Sequence, residues 1–326
     1  MEFQTGNDLL HILSQLCHMS KENVLVTGGC GFIGSHLSQE LISDYSVYIA
    51  DDMSAGKQRY APDGSQKVFN SDLTESSAVE RIINEVNPVK VYHLAASSDV
   101  RSDSVGTGQF EYNTKITNNL VTHAHKNGCP DFIFTSSSTV YGWTDVIPTG
   151  ESHHLNPNSY YGSGKIGSES ILRTYSSQTS AEVKIFRLAN IVGPRLRGAV
   201  IPDFVLKLRD NPEELEILGD GRQKKSYMHV DECVEAILHV DSSYDSGIIV
   251  NVGTDSTTTV TRIADIVSNV MNLNPEYNYT GGRQGWTGDV PEVRLDISRL
   301  ESLGYTPRLS SDESVRKATE QLVKEL

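Results

Sequence analysis

The chain has 326 residues, of which 37% are hydrophobic, and its formal net charge at pH 7 is −14. This length allows one large domain or two smaller ones with a substantial buried core. The negative charge argues against nucleic acid and anionic membranes as partners, because both are polyanions. No apolar stretch approaches the ~20 residues of a membrane span, and no basic segment precedes Lys21, so neither a membrane anchor nor a signal peptide is expected.

Two further features concern the cellular compartment and the start of the chain. The four cysteines lie far apart and show no CxxC spacing: Cys17, Cys30, Cys129 and Cys233. A disulfide framework, a zinc site and any other metal are therefore not expected, and a reducing, cytoplasmic location is favoured. Residues 1–20 are predicted to be an N-terminal extension, because Met19 to Glu22 resembles a natural start.

From residue 23 onward, short apolar runs alternate with helical patterns. Strands are predicted at 23–27, 47–50, 67–70, 89–94, 132–135 and 183–188, and helices at about 32–42, 75–86, 110–126 and 160–177. Strands that are buried on both faces have continuous apolar sequences of this kind. The alternation predicts an α/β fold of the Rossmann type, a doubly wound parallel sheet with helices on both faces.

After about residue 195 the alternation becomes irregular. Helices are predicted at 202–210, 230–241, 259–271 and 311–325, with short strands between them. We expect residues 21–195 to form the first domain, with 228–255 returning to it, and 196–326 to form mainly a smaller α+β lobe for the substrate. Seven basic residues gather between positions 187 and 225, either as a site for a small anion or as a solvated face: Arg187, Arg195, Arg197, Arg209, Arg222, Lys224 and Lys225.

A glycine-rich segment joins the first strand to the first helix. Gly28, Gly31 and Gly34 are spaced as GxxGxxG, which suits a tight turn, close approach to a pyrophosphate and a helix N-terminus that faces negative charge. Asp51 ends the second strand about 20 residues later, where a carboxylate accepts hydrogen bonds from an adenosine ribose and repels a 2′-phosphate. Together they predict NAD rather than NADP as the cofactor, although Asp51 alone has the alternative of a turn or cap residue.

Residues that follow the next strands extend this prediction, because the carboxyl ends of parallel strands meet at one edge of the sheet. Asp72 and Leu73 are expected near the adenine, and the small residues after Leu94 allow backbone to approach the cofactor. The cofactor-binding residues predicted at this stage are Gly28, Gly31, Phe32, Ile33, Gly34, Asp51, Asp52, Asp72, Leu73, Leu94, Ala95 and Ala96.

Tyr161 and Lys165 are four residues apart, which puts both side chains on one face of a helix. A tyrosine with a pKa of about 10 acts as a base at neutral pH only if its phenolate is stabilised, and both an ammonium and a nicotinamide ring do this. The hydroxyl-rich segment from Thr135 to Thr139 follows the fifth strand, where a hydroxyl can bind the reacting oxygen. A surface Tyr–Lys pair and a serine-rich loop are the alternatives, but the combination with the glycine segment favours catalysis.

These residues resemble the extended short-chain dehydrogenase/reductase family, and within it the nucleotide-sugar 4-epimerases of the UDP-glucose 4-epimerase kind. The resemblance runs from about residue 22 to residue 325. Seven motifs carry it in chain order: TGGCGFIGSHL, HLAASSDV, FIFTSSSTVYG, YYGSGK, FRLANIVGPR, LGDGRQKKSYMHVDE and GWTGDVPEVRLD. It implies NAD as the cofactor, a UDP-sugar as the substrate, and a homodimer formed through the helices at 110–126 and 160–177, whose apolar residues are equally suited to the core.

The resemblance also implies roles for single residues. Tyr161 would be the base, Lys165 would bind the nicotinamide ribose, and Ser137 would contact the sugar O4. The residues that it adds on the cofactor and substrate side are Asn113, Thr139, Asn190, Val200, Lys225, Arg283 and Val293. Lys225 stands where relatives have an arginine and so lacks the bidentate fork, Arg283 lies further from the Gly-Asp pair than in many relatives, and Ser98 replaces a lysine found in some.

Two positions separate the possible reactions. Nucleotide-sugar 4,6-dehydratases carry an Asp-Glu pair where this chain has Ser138 and Thr139, and UDP-glucuronate decarboxylases usually carry a glutamate at the second position. The resemblance therefore implies 4-epimerisation of a UDP-hexose through a transient 4-keto sugar. Val293 is smaller than the tyrosine of some strict relatives, so an N-acetylated sugar is also expected to fit. The alternatives are a UDP-uronate 4-epimerase, a keto-sugar reductase or dehydrogenase, and a non-catalytic NAD-binding scaffold.

Overall fold

The structure is a computed structural model that describes residues 21–97, 107–245, 247–285 and 290–326. The predicted N-terminal extension at 1–20 and Ser98 lie outside the described residues. No helix in the described ranges combines the length and the apolar character that a membrane crossing requires.

A seven-stranded parallel sheet forms the centre of the molecule. Its strands, numbered along the whole chain, are β1 (Asn23–Thr27), β2 (Ser46–Asp51), β3 (Lys67–Asn70), β4 (Lys90–His93), β5 (Asp131–Ser137), β6 (Val183–Leu188) and β11 (Ile248–Val252). They lie in the order β11-β6-β5-β4-β1-β2-β3, and every pairing is parallel. The order reverses between β1 and β4, where open α/β sheets bind their ligands. The predicted doubly wound Rossmann-type fold is confirmed.

Helices cover both faces of this sheet. They are α1 (Phe32–Leu41), α2 (Ser76–Val86), α3 (Gly108–Lys126), α4 (Tyr160–Gln178) and α6 (Val230–Ser243). Because successive side chains of a strand point to opposite faces, Val24 and Val26 pack in the core with α1 and α6, whereas Leu25 packs with α2, α3 and α4. Each fully buried aliphatic side chain of this kind contributes about 1.5–3 kcal/mol.

The later part of the chain builds a second core beside the carboxyl ends of the strands. Its helices are α5 (Val200–Asp210), α7 (Val260–Met271) and α9 (Ser311–Glu325), and Phe204, Ile263 and Val315 lie in their shared core. The short helix α8 (Ser298–Ser302) packs against β11. Helix α9 begins with a capping box in which Ser310 and Glu313 satisfy each other's backbone amides.

Three small sheets complete the described part of the lobe. They pair β7 (Asn190–Val192) with β10 (Tyr227–His229), β8 (Glu214–Ile217) with β13 (Glu276–Tyr279), and β9 (Lys224–Lys225) with both β12 (Thr258–Thr259) and β14 (Glu292–Val293). Since β7 follows β6 directly and β9 leads into β10, these strands carry residues from the lobe to the edge of the large sheet where the strands end.

Candidate active site

A cavity of about 580 Å³ opens at the carboxyl ends of the central strands and is closed on its other side by the lobe. The glycine segment after β1, the end of β5, the start of α4 and the segment from β7 to α5 all contribute to its wall. The predicted site residues that line it are Gly28, Gly31, Phe32, Ile33, Gly34, Asp51, Asp52, Leu73, Leu94, Ala95, Ala96, Ser137, Tyr161, Lys165, Asn190, Val200 and Lys225. The structure thus brings together residues from most of the length of the chain.

The glycine segment leaves no room for side chains. Gly28 has a φ of +70°, and a Cβ atom there would lie 2.7 Å from the backbone nitrogen of Ala95. A Cβ atom at Gly34 would overlap the carbonyl oxygen of Gly28, so helix α1 packs directly on the turn. The first turn of α1 therefore presents its backbone amides to the cavity, an arrangement that fits the pyrophosphate of a dinucleotide.

Asp51 lies at the end of β2, within the wall of the cavity and only 6% exposed. Its carboxylate oxygens accept hydrogen bonds from the backbone amides of Cys30, at 3.0 Å, and Met53, at 2.9 Å. Burial raises the pKa of Asp51, and these two hydrogen bonds lower it again in part. Each oxygen keeps a further acceptor position, so the carboxylate fixes the turn and still offers lone pairs to a ribose.

Asp52 and Tyr112 extend the same end of the cavity. The Tyr112 hydroxyl donates to Asp52 at 2.7 Å, and both residues line the wall. Burial works against the charge of Asp52, but hydrogen bonds from Ser54 and Tyr112 lower its pKa overall. This end of the cavity therefore carries two carboxylates, which suits the hydroxyls of an unphosphorylated ribose.

Tyr161 and Lys165 lie on the first two turns of α4, which begins at a cap where the Ser159 side chain accepts a hydrogen bond from the Gly162 amide at 3.1 Å. Lys165 is only 3% exposed, and its Nζ donates to the carbonyl oxygen of Thr135 at 2.7 Å. The same nitrogen lies 5.7 Å from the centre of the Tyr161 ring. The lysine is therefore held between the end of β5 and the tyrosine.

Burial dominates the electrostatics of this pair. It lowers the pKa of Lys165 to about 7, although the negative charge of Glu169 opposes the shift. It raises the pKa of Tyr161 to about 12, although a hydrogen bond with Ser137 opposes that shift. Burial therefore disfavours both the Lys165 ammonium and the Tyr161 phenolate, and either charge, once formed, would favour the other.

A chain of hydroxyl groups leads to Tyr161. The Ser137 hydroxyl accepts hydrogen bonds from the Thr139 amide at 3.2 Å and the Thr139 hydroxyl at 3.0 Å. Because both acceptor positions of Ser137 are then used, its own proton is available for the oxygen of Tyr161, with which it is hydrogen-bonded. These hydrogen bonds therefore orient the Ser137 proton toward Tyr161.

Five predicted site residues do not line the cavity: Asp72, Asn113, Thr139, Arg283 and Val293. Asp72 caps its own turn through the Thr74 amide, and buried Asn113 accepts a hydrogen bond from the Ser97 amide at 2.8 Å. Arg283 is exposed, and Val293 pairs with Lys225 across β14 and β9. Of the five, Thr139 and Val293 contact wall residues, namely Ser137 and Lys225.

Of the clustered basic residues, Arg195, Arg197 and Lys225 line the cavity. Arg195 donates to the Ser35 hydroxyl on α1 at 2.8 Å, so its guanidinium lies beside the helix that follows the glycine segment. Arg187 is instead buried in an ion pair with Glu169. Sequence reasoning named the basic cluster but did not select Arg195 and Arg197 as site residues; their place between β7 and α5, in FRLANIVGPR and just beyond it, was the available signal.

Comparison with known proteins gives these features a family. Residues 24–253 match the model of the NAD dependent epimerase/dehydratase family. The chain belongs to this family. A crystal structure of a UDP-galactose 4-epimerase is 36% identical, with 93% of this chain and 99% of that chain covered and a TM-score of 0.84. A UDP-glucose 4-epimerase from Thermotoga maritima, solved with UDP-glucose, is 30% identical, with 93% and 99% covered and a TM-score of 0.85.

The family contains more than one reaction. A dTDP-D-glucose 4,6-dehydratase from Mus musculus is 29% identical over 317 residues, which cover 92% of this chain and 88% of the mouse protein. The resemblance drawn from the sequence motifs is confirmed, as are the NAD-dependent character and the assignment as an epimerase-type enzyme. The glycine segment and the paired carboxylates fit the cofactor that the family uses. The chain is thus a UDP-glucose 4-epimerase-like enzyme.

Proposed function

We propose that this chain interconverts UDP-glucose and UDP-galactose by inverting the configuration at C4 of the sugar. The observation that carries the proposal is the contact between Tyr161 and Ser137 above buried Lys165, in a cavity that also holds the glycine segment. In this proposal the first domain binds NAD, and the lobe binds the nucleotide through residues that include Asn190, Val200 and Lys225. Arg283 is proposed as a diphosphate partner from outside the described wall.

The residues of the chain divide the reaction between them. The glycine segment and Asp51 would hold NAD, which would supply the hydride acceptor and donor for C4 of the sugar. Tyr161, as the phenolate, takes the proton from the 4-hydroxyl, and Ser137 turns its own hydroxyl proton from Tyr161 to the same sugar oxygen. Lys165 keeps the phenolate stable. After the 4-keto sugar has turned about its diphosphate link, Tyr161 gives the proton back.

The absence of a carboxylate beside Ser137 supports epimerisation over dehydration. Positions 138 and 139 are Ser138 and Thr139, and Thr139 donates its hydroxyl proton to Ser137 rather than facing the cavity. Loss of water across C5 and C6 needs a group that removes one proton and supplies another, and a threonine hydroxyl does neither at neutral pH. Beyond the redox cofactor, epimerisation needs only the base that Tyr161 provides.

Three finer proposals go with this function. Val293 pairs with Lys225, which lines the cavity. We propose that the small side chain of Val293 leaves room for a 2-N-acetyl group on the sugar.

Helices α3 and α4 pack together, and a groove lies on their outer side, lined by Val121, Ile171 and Thr174 among others. We propose this groove as the homodimer contact. A cytoplasmic location remains a proposal from the cysteine pattern.

The test is to incubate the purified protein with UDP-galactose and to follow the sugar nucleotides by proton NMR, first without and then with added NAD⁺. UDP-glucose should appear and approach the same ratio from either direction, and the Tyr161→Phe variant should be inactive. Stoichiometric change of absorbance at the reduced-nicotinamide band would indicate a net reductase or dehydrogenase instead. Reaction only with a UDP-uronate, or with no sugar nucleotide, would also refute the proposed reaction.

A further inference from the structure

A buried ion pair lies directly beneath the reacting groups. Glu169 follows Lys165 by one helical turn on α4, and Arg187 is on β6; each is 2% exposed. The guanidinium binds the carboxylate through two hydrogen bonds, from Nε to Oε1 at 3.0 Å and from Nη2 to Oε2 at 2.7 Å. A buried pair of this kind gains little stability over apolar side chains of the same size, so its position calls for another explanation.

The pair is connected to every segment that carries a reacting hydroxyl. The Ser136 hydroxyl, next to Ser137 on β5, donates to Glu169 Oε1 at 2.5 Å. Arg187 Nη1 donates to the Tyr141 hydroxyl at 3.0 Å, and Tyr141 follows Thr139 by two residues. The pair thus joins α4, the end of β5 and the turn after it through direct hydrogen bonds.

Lys165 needs a negative charge nearby because its ammonium is buried. The titratable and charged groups around it are Tyr161 and Glu169 on its own helix, His93 from β4, and Arg187 from β6 behind Glu169. Burial, followed by the charge of Lys165, lowers the pKa of His93 to about 3, so this imidazole is neutral. Glu169 is then the carboxylate that favours the ammonium, and Arg187 limits how strongly it does so.

We propose that Glu169 and Arg187 form a positioning pair that sets the charge of Lys165 and keeps its side chain in register with Tyr161. Glu169 attracts the ammonium from the next turn of the helix, and Arg187 fixes the carboxylate and offsets part of its charge. This inference rests on the proposed function, because it assigns Lys165 to the stabilisation of the Tyr161 phenolate. Neither residue lines the cavity. They act on the reaction only through the groups that they hold, so they are positioning residues and not catalytic residues.

The test uses three variants of the full-length enzyme. Glu169→Gln keeps the shape and removes the negative charge, whereas Arg187→Met removes the charge that offsets Glu169. Asp241→Asn is the matched control, because Asp241 is also a buried carboxylate in an ion pair but binds Lys90, Lys184 and Tyr92 instead. The charge of Lys165 is read by NMR of ¹³Cε-labelled lysine across pH, assigned with a Lys165→Met sample. The pH profile of kcat is recorded in parallel.

The two variants should move the titration of Lys165 in opposite directions. Glu169→Gln should lower its midpoint by about one pH unit and shift the rising limb of the kcat profile to higher pH, and Arg187→Met should do the reverse. Asp241→Asn should lower the melting temperature without moving either. An unchanged Lys165 midpoint in Glu169→Gln, or shifts in the same direction in both variants, would reduce the pair to a structural role.

The two proposals fail separately. If the wild-type enzyme converts no UDP-sugar but the Lys165 midpoints move as stated, the proposed function is refuted and the effect of the pair on the charge of Lys165 stands. If the enzyme is a 4-epimerase whose kcat profile and Lys165 midpoint are the same in all variants, the proposed function stands and the role of the pair is refuted.

Discussion

The carboxylate of Glu325, in the last turn of α9, accepts a hydrogen bond from the backbone amide of Arg195 at 2.6 Å. Its other oxygen accepts hydrogen bonds from the Arg197 guanidinium at 2.7 Å and the Tyr60 hydroxyl at 3.3 Å. Arg195 itself has a left-handed φ of +71°, which costs energy in a residue with a side chain. Glu325 therefore holds a strained segment that forms part of the cavity wall.

Removing this carboxylate should loosen the cavity. We expect the dissociation constant for NAD to rise about tenfold in Glu325→Ala. One hydrogen bond to a charged group is worth about 1.5–3 kcal/mol, and the lower end applies because Glu325 is partly exposed. The NAD that remains after gel filtration is measured by chromatography of the denatured protein. Glu320→Ala is the control, since Glu320 is exposed on the same helix; equal NAD content in both variants would contradict the prediction.

The hydroxyl chain at the end of β5 predicts a graded loss of activity. Ser137→Ala should lower kcat by about 10²–10³-fold, because it removes the group that holds the reacting oxygen. Thr139→Val should lower kcat by about tenfold, since it removes only the donor at 3.0 Å from Ser137. Ser138→Ala should leave kcat close to that of the wild type. Steady-state rates with UDP-galactose test the order, and a larger loss in Thr139→Val than in Ser137→Ala would overturn it.

Much of the site was predictable because its signals are local. The glycine segment and Asp51 each end a strand that the apolar runs had already placed, and the four-residue spacing of Tyr161 and Lys165 fixes their common face. The ion pair of Glu169 and Arg187 was not predictable in this way, although Glu169 stands one turn after Lys165. The pairing of Arg187 with Glu169 beneath the site depends on β6 lying beside β5, and only the folded sheet shows this order.

The same reasoning explains what was missed in the lobe. The contact of Arg195 with Glu325 joins residues 130 positions apart, and no periodic pattern reports such a pairing. Strands β9, β12 and β14 have only two residues each, too few for an alternation to be recognised. The longer helices were placed within two residues of their observed ends, since amphipathic spacing over several turns is a strong signal.

The buried lysine should make the stability of the cofactor-free protein depend on pH. Burial lowers the pKa of Lys165 from 10.5 to about 7, so between these values the unfolded chain binds a proton that the folded protein does not. The free energy of unfolding therefore rises with pH across this window, and the full cost of burying the lysine is felt below about pH 7. Chemical denaturation at several pH values should show a steeper rise in the wild type than in Lys165→Met. Parallel curves would show that Lys165 titrates normally.

The ion cluster on the other side of β4 predicts acid sensitivity. Asp241 accepts hydrogen bonds from Lys90 Nζ at 2.8 Å and from the Tyr92 hydroxyl at 2.7 Å, and it lies 3.1 Å from Lys184 Nζ. Burial opposes its charge, but these partners together lower its pKa. A carboxylate with a lowered pKa stabilises the fold above its unfolded pKa, and this contribution is lost as the pH falls.

The variant Asp241→Asn removes that contribution at every pH. It should cost about 3–5 kcal/mol at pH 7, because two lysines are left without their buried counter-charge. The cost should stay constant down to about pH 4, near the pKa of an unfolded aspartate, and should shrink below it as the native carboxylate takes up a proton. Thermal unfolding of both proteins between pH 7 and pH 2 measures the difference, with exposed Glu320→Gln as a neutral control; a difference that stays constant below about pH 4 would show that the charge of Asp241 does not stabilise the fold.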